Sequence, residues 1–296
     1  MTKSNLDKFP FTPLVIIGAG RSGTNALRDA LVRLEDFGTW PCDEINPIWR
    51  HGNIDYPDDE IPPQKATPVV RCYIRGAFRR IWRQQGRPNF VIEKTCANAL
   101  RVPFVDNVLP EARYIHIVRN GFDVVASAQK RWRGDLEMPG LPYFLAKARY
   151  APPSDLPRYA LSAIRTRLAV RTGRREHLES WGPRFAGIEM LSEASVEELV
   201  ARQWAACVTA SDKAFAEIDP SRVFQLRYED FTADAARTLS SILSWLGEKA
   251  AEEDITKAAS QVRSSSVGKG RTLGATLPDE VKTLLLQRLA THGYTF

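Results

Sequence analysis

The stretch LVIIGAGRSGTNALRDAL, residues 14–31, decides the fold. Leu14–Ile17 form an apolar run that is typical of a buried strand, and GAGRSG at residues 18–23 is a glycine-rich turn. The pattern from Thr24 to Leu34 then indicates a helix. A strand, a glycine-rich turn and a helix in this order predict an anion-binding site, because backbone N–H groups at a helix N-terminus attract negative charge.

The composition indicates a folded chain with a preference for anions. It has 296 residues, of which 44% are hydrophobic, and a formal net charge of +6. This apolar content is enough for a sizeable core and excludes a disordered or fibrous chain. The charge favours a nucleotide, an acidic acceptor, nucleic acid or lipid as partner. No internal repeat or shift in composition divides the chain, so we predict one domain over residues 1–296.

The cysteines and the apolar segments predict a cellular location. The four cysteines lie far apart without a C-x-x-C motif, which indicates reduced thiols and no zinc site or disulfide framework: Cys42, Cys72, Cys96 and Cys207. The N-terminus lacks the apolar core of a signal peptide, and no run approaches the roughly 20 apolar residues of a membrane span. We therefore expect a cytoplasmic protein without a membrane span.

Further strands and helices alternate along the chain. This alternation predicts an α/β fold in three layers, with a central, mostly parallel sheet flanked by helices. The predicted strands are Leu14–Ile17, Phe90–Ile92, Arg113–Val118 and Arg222–Leu226, and the further helices are Val69–Gln85, Phe122–Arg131, Val196–Glu217 and Ala235–Leu246.

Two long proline-rich segments interrupt the alternation, at residues 40–68 and 138–157. Both are too long for simple connections, and we predict that they are acceptor-binding loops. Residues 158–184 carry seven arginines. This segment is either a solvated helix face or a patch for an acidic acceptor.

The glycine spacing of residues 18–23 also fits a dinucleotide-binding turn, G-x-G-x-x-G, of an NAD(P)- or flavin-dependent oxidoreductase. Asp43 lies 20 residues beyond Gly23, where the ribose-binding acid is expected. That acid should end a second strand, whereas Pro41 and Pro47 flank Asp43. The dinucleotide interpretation is therefore an alternative with weak support.

The same turn has the glycine spacing of a nucleoside-triphosphate P-loop, from Gly18 to Gly23. That motif continues with a lysine and then a serine or threonine, but Thr24 and Asn25 follow here. Without the lysine, the motif does not support ATP or GTP hydrolysis.

The turn ends in a set of anion-binding groups that suggests a third interpretation. RSGTN, residues 21–25, places a cation, hydroxyls and backbone N–H groups at a helix N-terminus. It resembles the 5'-phosphosulfate loop of sulfotransferases that use 3'-phosphoadenosine 5'-phosphosulfate (PAPS), with Asn25 replacing a second threonine. The resemblance implies these donor-binding residues: Arg21, Ser22, Gly23, Thr24 and Asn25.

A second element, ARYIHIVRNGFDVVASAQKRW at residues 112–132, resembles the part of these enzymes that binds the 3'-phosphate. The resemblance implies that Arg119 and Ser127, eight residues apart, hold this phosphate, and Arg131 is expected to join them. An arginine at a strand end offers a planar pair of donors suited to phosphate.

Two further elements resemble the same family. RYED at residues 227–230 implies Tyr228 on the cofactor side, with Glu229 and Asp230 in structural roles. SSSVGKGR at 264–271 is similar to a C-terminal loop that folds over the nucleotide, with Gly270 replacing a tryptophan. The nucleotide contacts implied for this loop are Ser266, Val267, Gly268, Lys269 and Arg271.

The family resemblance implies a P-loop-like fold and sulfuryl transfer from PAPS, without a metal, leaving 3'-phosphoadenosine 5'-phosphate (PAP). The acceptor is expected to be a hydroxyl on a carbohydrate or glycolipid, including acidic glycans, because the motifs look closer to glycan and protein-tyrosine enzymes than to small-phenol enzymes. A secondary metabolite or peptide tyrosine stays open, as does the oligomeric state.

A non-enzymatic alternative is a basic nucleic-acid-binding module. It fits the positive charge and the interleaved arginine and tryptophan of RRIWRQQGR at residues 79–87. However, no nucleic-acid recognition motif is present, and we expect no nucleic-acid partner.

The resemblance also implies catalytic residues. Lys94 matches a lysine that approaches the sulfuryl group; with Arg21 it would neutralise the phosphosulfate, assisted by Ser266. Glu44 is the predicted general base, and Asp43 and His51 are its alternatives. Two neighbouring residues are expected to be structural: Glu93 pairing with Lys94 or an arginine, and His116 lying in the core.

Overall fold

A parallel sheet of five strands forms the centre of the structure. The structure is a computed structural model, and it describes residues 8–133, 155, 182–191, 193–265, 267–270 and 277–294, without the side chains of 129–133. The strands are β1 (Thr12–Ile17), β2 (Phe37–Thr39), β3 (Phe90–Lys94), β4 (Arg113–Val118) and β5 (Val223–Arg227). They pair in the order β2-β3-β1-β4-β5, and every pairing is parallel. The predicted α/β class is confirmed.

The register brings the carboxyl ends of the three middle strands together. Ile16 of β1 lies opposite Lys94 of β3, and Ile17 of β1 lies opposite His116 of β4. Ligands of open α/β sheets bind outside such strand ends. A dinucleotide-binding sheet has β2 beside β1, in the order 3-2-1-4-5-6. Because β3 takes that place here, the strand order disagrees with the oxidoreductase alternative.

Helices cover both faces of the sheet. They are α1 (Thr24–Leu31), α2 (Asn46–Trp49), α3 (Pro68–Gln84), α4 (Val102–Val108), α5 (Gly121–Arg133), α6 (Val196–Phe215), α7 (Tyr228–Ala233), α8 (Ala235–Leu246), α9 (Glu252–Ala259) and α10 (Asp279–Ala290). Side-chain caps explain where α3 and α6 begin. The Thr67 hydroxyl accepts from the Val70 N–H at 3.4 Å, and the Ser195 hydroxyl accepts from the Glu198 N–H at 3.2 Å. No helix in the described ranges is both long and apolar enough to cross a bilayer.

Alternate strand residues enter two separate hydrophobic clusters. Val15 and Ile17 face a cluster formed with α3, α4, α5, α6 and α10, whereas Leu14 and Ile16 face one formed with α1, α7, α8 and α9. Because both faces are covered, the strands are apolar at successive positions, as in other parallel sheets. Full burial of one such side chain is worth about 1.5–3 kcal/mol.

The structure differs from the sequence predictions at several boundaries. The three-residue strand β2 was not predicted, since FGT is too short to show a pattern. The first helix ends at Leu31 instead of Leu34. The 40–68 segment contains the short helix α2 and a 3-10 turn at Pro63–Lys65. The 138–157 segment lies outside the described residues except for Asp155.

Candidate active site

The turn between β1 and α1 is held in a shape that requires glycine. A Cβ on Gly18 would lie 2.7 Å from the carbonyl oxygen of Ile117 in β4. A Cβ on Gly23 would lie 2.2 Å from the Tyr228 ring, and Gly23 itself has a φ of 88°. Both glycines therefore let the turn approach neighbouring elements more closely than any side chain allows.

Polar groups in this turn are available to an anion. The Ser22 hydroxyl is buried and has no hydrogen-bond partner within the described part of the chain. No side chain caps α1, whose N-cap residue is Gly23. Buried hydroxyls and first-turn N–H groups are normally satisfied. An anion bound by the turn would satisfy both.

Arg119 and Ser127 lie beside this turn, as the predicted 3'-phosphate site requires. Arg21 Nε donates to Ser127 Oγ at 3.0 Å, and Arg119 Nη1 donates to the Arg21 carbonyl at 2.9 Å. The Arg119 guanidinium lies 4.5 Å from the centre of the Tyr228 ring. The guanidinium of Arg21 therefore lies on the Ser127 side of the site. Trp204 of α6, which the sequence analysis missed, donates its indole N–H to the Arg119 carbonyl at 3.1 Å.

Lys94 lies at the end of β3, the strand beside β1. Its Nζ donates to Asp43 Oδ1 at 3.0 Å and to Glu44 Oε1 at 3.2 Å, and its side chain is only 2% exposed. Burial alone lowers the pKa of Lys94, but Cys96, Glu44 and Asp43 together outweigh it and raise the pKa, so the ammonium stays charged. Lys94 and Glu44 are the predicted catalytic residues and Asp43 is the alternative base, and the structure brings the three into contact.

Asp43 contacts two cations, whereas Glu44 contacts one cation, Lys94, and the Cys96 backbone N–H, which donates to Glu44 Oε1 at 3.3 Å. Arg28 Nη1 donates to Asp43 Oδ1 at 3.2 Å, in addition to the Lys94 contact. Burial raises the pKa of Asp43, but Lys94 and Arg28 together lower it below its usual value. A carboxylate stabilised by two cations is a poorer proton acceptor. This favours Glu44 over Asp43 as the general base.

A buried hydrogen-bond chain supports the segment that carries Glu44. The Ile45 N–H donates to Thr95 Oγ1 at 3.2 Å, and the Thr95 hydroxyl donates to Glu93 Oε1 at 2.6 Å. Asn98 Nδ2 donates to Glu93 Oε2 at 2.9 Å. The expected pairing of Glu93 with Lys94 is therefore wrong among the described contacts, because neighbouring side chains of a strand point to opposite faces of the sheet. An arginine does act on Glu93: burial raises the pKa of Glu93, and the charge of Arg101 opposes this.

Arg101 extends this buried network. Its guanidinium donates to Asn98 Oδ1 at 2.8 Å, to Asp59 Oδ1 at 3.3 Å and to Asn46 Oδ1 at 2.5 Å. Burial lowers the pKa of Arg101 to about 10, against the effect of Asp59. The sequence analysis missed Thr95 and Arg101; both follow β3 closely, which is the signal that could have found them.

His51 lies in a different group of side chains. Its Nδ1 is 2.8 Å from Asp155 Oδ2, and its ring centre is 3.9 Å from that of Tyr73. In the portion of the chain that the structure describes, no hydrogen bond joins His51 to Lys94 or Glu44. His116 is 1% exposed, as predicted for a core residue, and burial lowers its pKa to about 4.

The C-terminal loop reaches the start of α5. Gly268 and Gly270 donate their backbone N–H groups to Asp123, and the Val267 side chain is 41% exposed. In the third element, Glu229 has the expected structural role: it accepts from the Asn120 N–H at 3.0 Å. Three predicted contacts lie outside what the structure describes: Ser266, Arg271 and the Arg131 side chain.

Comparison with known proteins supports the same family. The model of the Sulfotransferase family matches residues 13–149 and 169–252. No curated protein matches the chain significantly. The solved structures that share the fold include three sulfotransferases with 14–15% sequence identity to this chain. The sulfotransferase domain of the Synechococcus PCC 7002 olefin synthase has a TM-score of 0.56 at 15% identity, covering 98% of each chain.

The second structure is the sulfotransferase domain of the curacin biosynthetic pathway, with a TM-score of 0.57 at 14% identity, covering 98% of this chain and 100% of that one. The third is the sulfotransferase STF1 of Mycobacterium tuberculosis H37Rv, with a TM-score of 0.51 at 14% identity, covering 97% of this chain and 79% of that one. At such low sequence identity, the structural likeness supports the fold alone. Membership of the family rests on the family model, which matches most of the sequence. The chain belongs to the sulfotransferase family.

Proposed function

We propose that this sulfotransferase moves a sulfuryl group from PAPS to an acceptor hydroxyl. One observation carries the proposal: Lys94 Nζ lies 3.2 Å from Glu44 Oε1, at the strand end beside an anion-binding turn. A cation for the transferring group and a base for the acceptor are thus adjacent. This is the pair of groups that in-line transfer to a hydroxyl needs.

The donor would bind along the ends of β1 and β4. The unpaired Ser22 hydroxyl and the N–H groups of the turn suit the 5'-phosphosulfate, together with Thr24 and Asn25. The hydrogen bond between Arg21 and Ser127 supports assigning Arg21 to the 3'-phosphate side with Arg119, in place of its expected role beside Lys94 at the phosphosulfate. Contacts from Arg131, Ser266, Lys269 and Arg271 stay predictions.

The transfer step would form one S–O bond and break another. The acceptor oxygen attacks sulfur while the bond from sulfur to the bridging phosphate oxygen breaks, and PAP leaves with that oxygen. Glu44 takes the acceptor proton. Lys94 stabilises the negative charge on the transferring sulfuryl group. His51, oriented by Asp155, would act on the acceptor side.

The acceptor would be a hydroxyl on a carbohydrate or glycolipid, with a secondary metabolite as the next candidate. The position of Glu44 after the first helix supports the glycan class by resemblance. The exposed arginines of α3, Arg71, Arg80 and Arg83, would favour an acidic acceptor.

The two hydrophobic clusters on one sheet support a single domain, and four free cysteines support a cytoplasmic location.

Two measurements test this function. Calorimetry compares PAP, NAD and a nucleic-acid oligomer, and tight binding of PAP alone is expected. A labelled-sulfate transfer assay then screens sugar, lipid, phenol, peptide and secondary-metabolite hydroxyls with PAPS. Transfer to none of these classes, or preferential binding of NAD, would contradict the proposal.

A further inference from the structure

We propose that Asp123 positions the loop at residues 267–270 over the 3'-phosphate of the donor and so determines the preference for 3'-phosphorylated nucleotides. The inference rests on the proposed function, because it concerns the donor of that reaction. Asp123 is a positioning residue: it acts through the loop backbone, and contact between its carboxylate and the nucleotide is not required.

Both carboxylate oxygens of Asp123 are used by this loop. Oδ2 accepts from the Gly268 N–H and Oδ1 accepts from the Gly270 N–H, each at 2.7 Å. Asp123 is 4% exposed and lies in the first turn of α5, where the helix dipole favours a negative charge. Two short hydrogen bonds to an ionised acceptor are stronger than neutral ones. They fix the position of the loop backbone relative to the start of α5.

The two hydrogen bonds from Asp123 to the loop, which we call the anchor, lie one helical turn from the predicted 3'-phosphate site. Asp123 and Ser127 are four residues apart on α5, so they share a face of the helix. Ser127 accepts the hydrogen bond from Arg21 on this face. Lys269 lies between the two anchored glycines, so its backbone is held beside the same face. The anchor therefore brings the loop's cation to the 3'-phosphate side.

Gly270 allows this close approach. A Cβ at this position would lie 2.2 Å from the carbonyl carbon of Phe122 and 2.5 Å from the backbone nitrogen of Asp123. These are backbone atoms and cannot move aside cheaply. The tryptophan of the family pattern would therefore not fit at Gly270 with this backbone.

The test compares two nucleotides that differ in the 3'-phosphate. Calorimetry gives dissociation constants for adenosine 3',5'-bisphosphate and adenosine 5'-monophosphate with the wild type and Asp123→Asn. We expect at least about tenfold weaker binding of the bisphosphate and less than about threefold change for the monophosphate. The amide has only one acceptor oxygen, and its NH2 group would face an N–H. Equal weakening of both nucleotides would show a merely structural role and overturn the proposal.

A second variant tests the anchor from the loop. Gly270→Ala leaves Asp123 intact and should give the same selective loss, whereas Gly76→Ala, where a Cβ meets nothing within 4 Å, should not. If Asp123→Asn fails to fold, the selective loss of bisphosphate binding is tested with Gly270→Ala alone. If Asp123→Asn or Gly270→Ala keeps the wild-type ratio of the two dissociation constants, the role of Asp123 is contradicted while the proposed donor stands. A wild type that does not prefer the bisphosphate would instead overturn the proposed donor.

Discussion

The donor side and the acceptor side of the site are built differently. The donor side, residues 18–25 with Arg119, Ser127 and Tyr228, is shaped mainly by backbone: positive φ angles and glycines packed against neighbouring elements. The acceptor side, Asp43, Glu44 and Lys94, depends on side-chain hydrogen bonds beneath it. The donor side should therefore be sensitive to added atoms, and the acceptor side to lost polar groups.

The largest effect is expected from Lys94→Met, which removes the acceptor-side cation but keeps the apolar stem. Transfer should fall by about 10²–10³-fold, because charge on the transferring sulfuryl group, which PAP lacks, loses its stabilisation. PAP affinity should change little if the two sides are separable. Steady-state transfer assays and calorimetry measure both, with Lys65→Ala, an exposed lysine, as the control. A loss of PAP binding equal to the loss of rate would contradict the separation.

Glu44→Gln should lower kcat by about 10²-fold, since it removes the base while keeping the side-chain shape. Asp43→Asn should have a smaller effect, because Asp43 is already held by two cations. Comparison of kcat and KM for the two variants tests this order. A larger loss in Asp43→Asn would make Asp43 the base.

Arg119→Ala tests the donor side. It removes a buried cation that contacts the turn and the Tyr228 ring. We expect PAP to bind roughly 10–100-fold more weakly, because hydrogen bonds to charged groups contribute about 1.5–3 kcal/mol. Calorimetry gives the affinity, and near-UV circular dichroism checks the fold. Unchanged PAP affinity would contradict the assignment of Arg119 as a phosphate-binding residue.

Gly23→Ala tests the role of backbone shape. The added Cβ would meet the Tyr228 ring at 2.2 Å, and alanine disfavours the φ of 88°. The unfolding free energy should drop by about 1–3 kcal/mol, as measured by urea denaturation. Gly76→Ala, at an open helical position, should be neutral or stabilising. Equal stability of the two variants would argue against a tightly packed turn.

Thr95→Val should have the smallest effect, and it tests the network below the acceptor side. It keeps the shape but breaks the link from Ile45 to Glu93. A loss of about 1 kcal/mol in stability is expected, with a lower kcat and unchanged PAP affinity. Urea denaturation and kinetics measure these. A change in PAP affinity with unchanged kcat would place Thr95 on the donor side instead.

Much of the fold and of the site could be predicted from local patterns. Apolar runs identified β1, β3 and β4, which are buried on both faces, and also the edge strand β5, whose residues are only partly buried. The short β2 has too few residues for such a pattern. The pairing of Glu93 with Lys94 was mispredicted, because adjacent residues of a strand point to opposite faces of the sheet.

By itself, the sequence determined the glycine turn, the alternation of the longer strands and helices, and the residue types at the strand ends. These features depend on backbone conformation and local periodicity, which short segments encode. Tertiary structure decided that Arg21 meets Ser127, that Thr95 and Arg101 support Glu44, and that Gly270 packs on α5. Such contacts join residues far apart in the chain, and only the packing of the sheet and its helices brings them within hydrogen-bond distance.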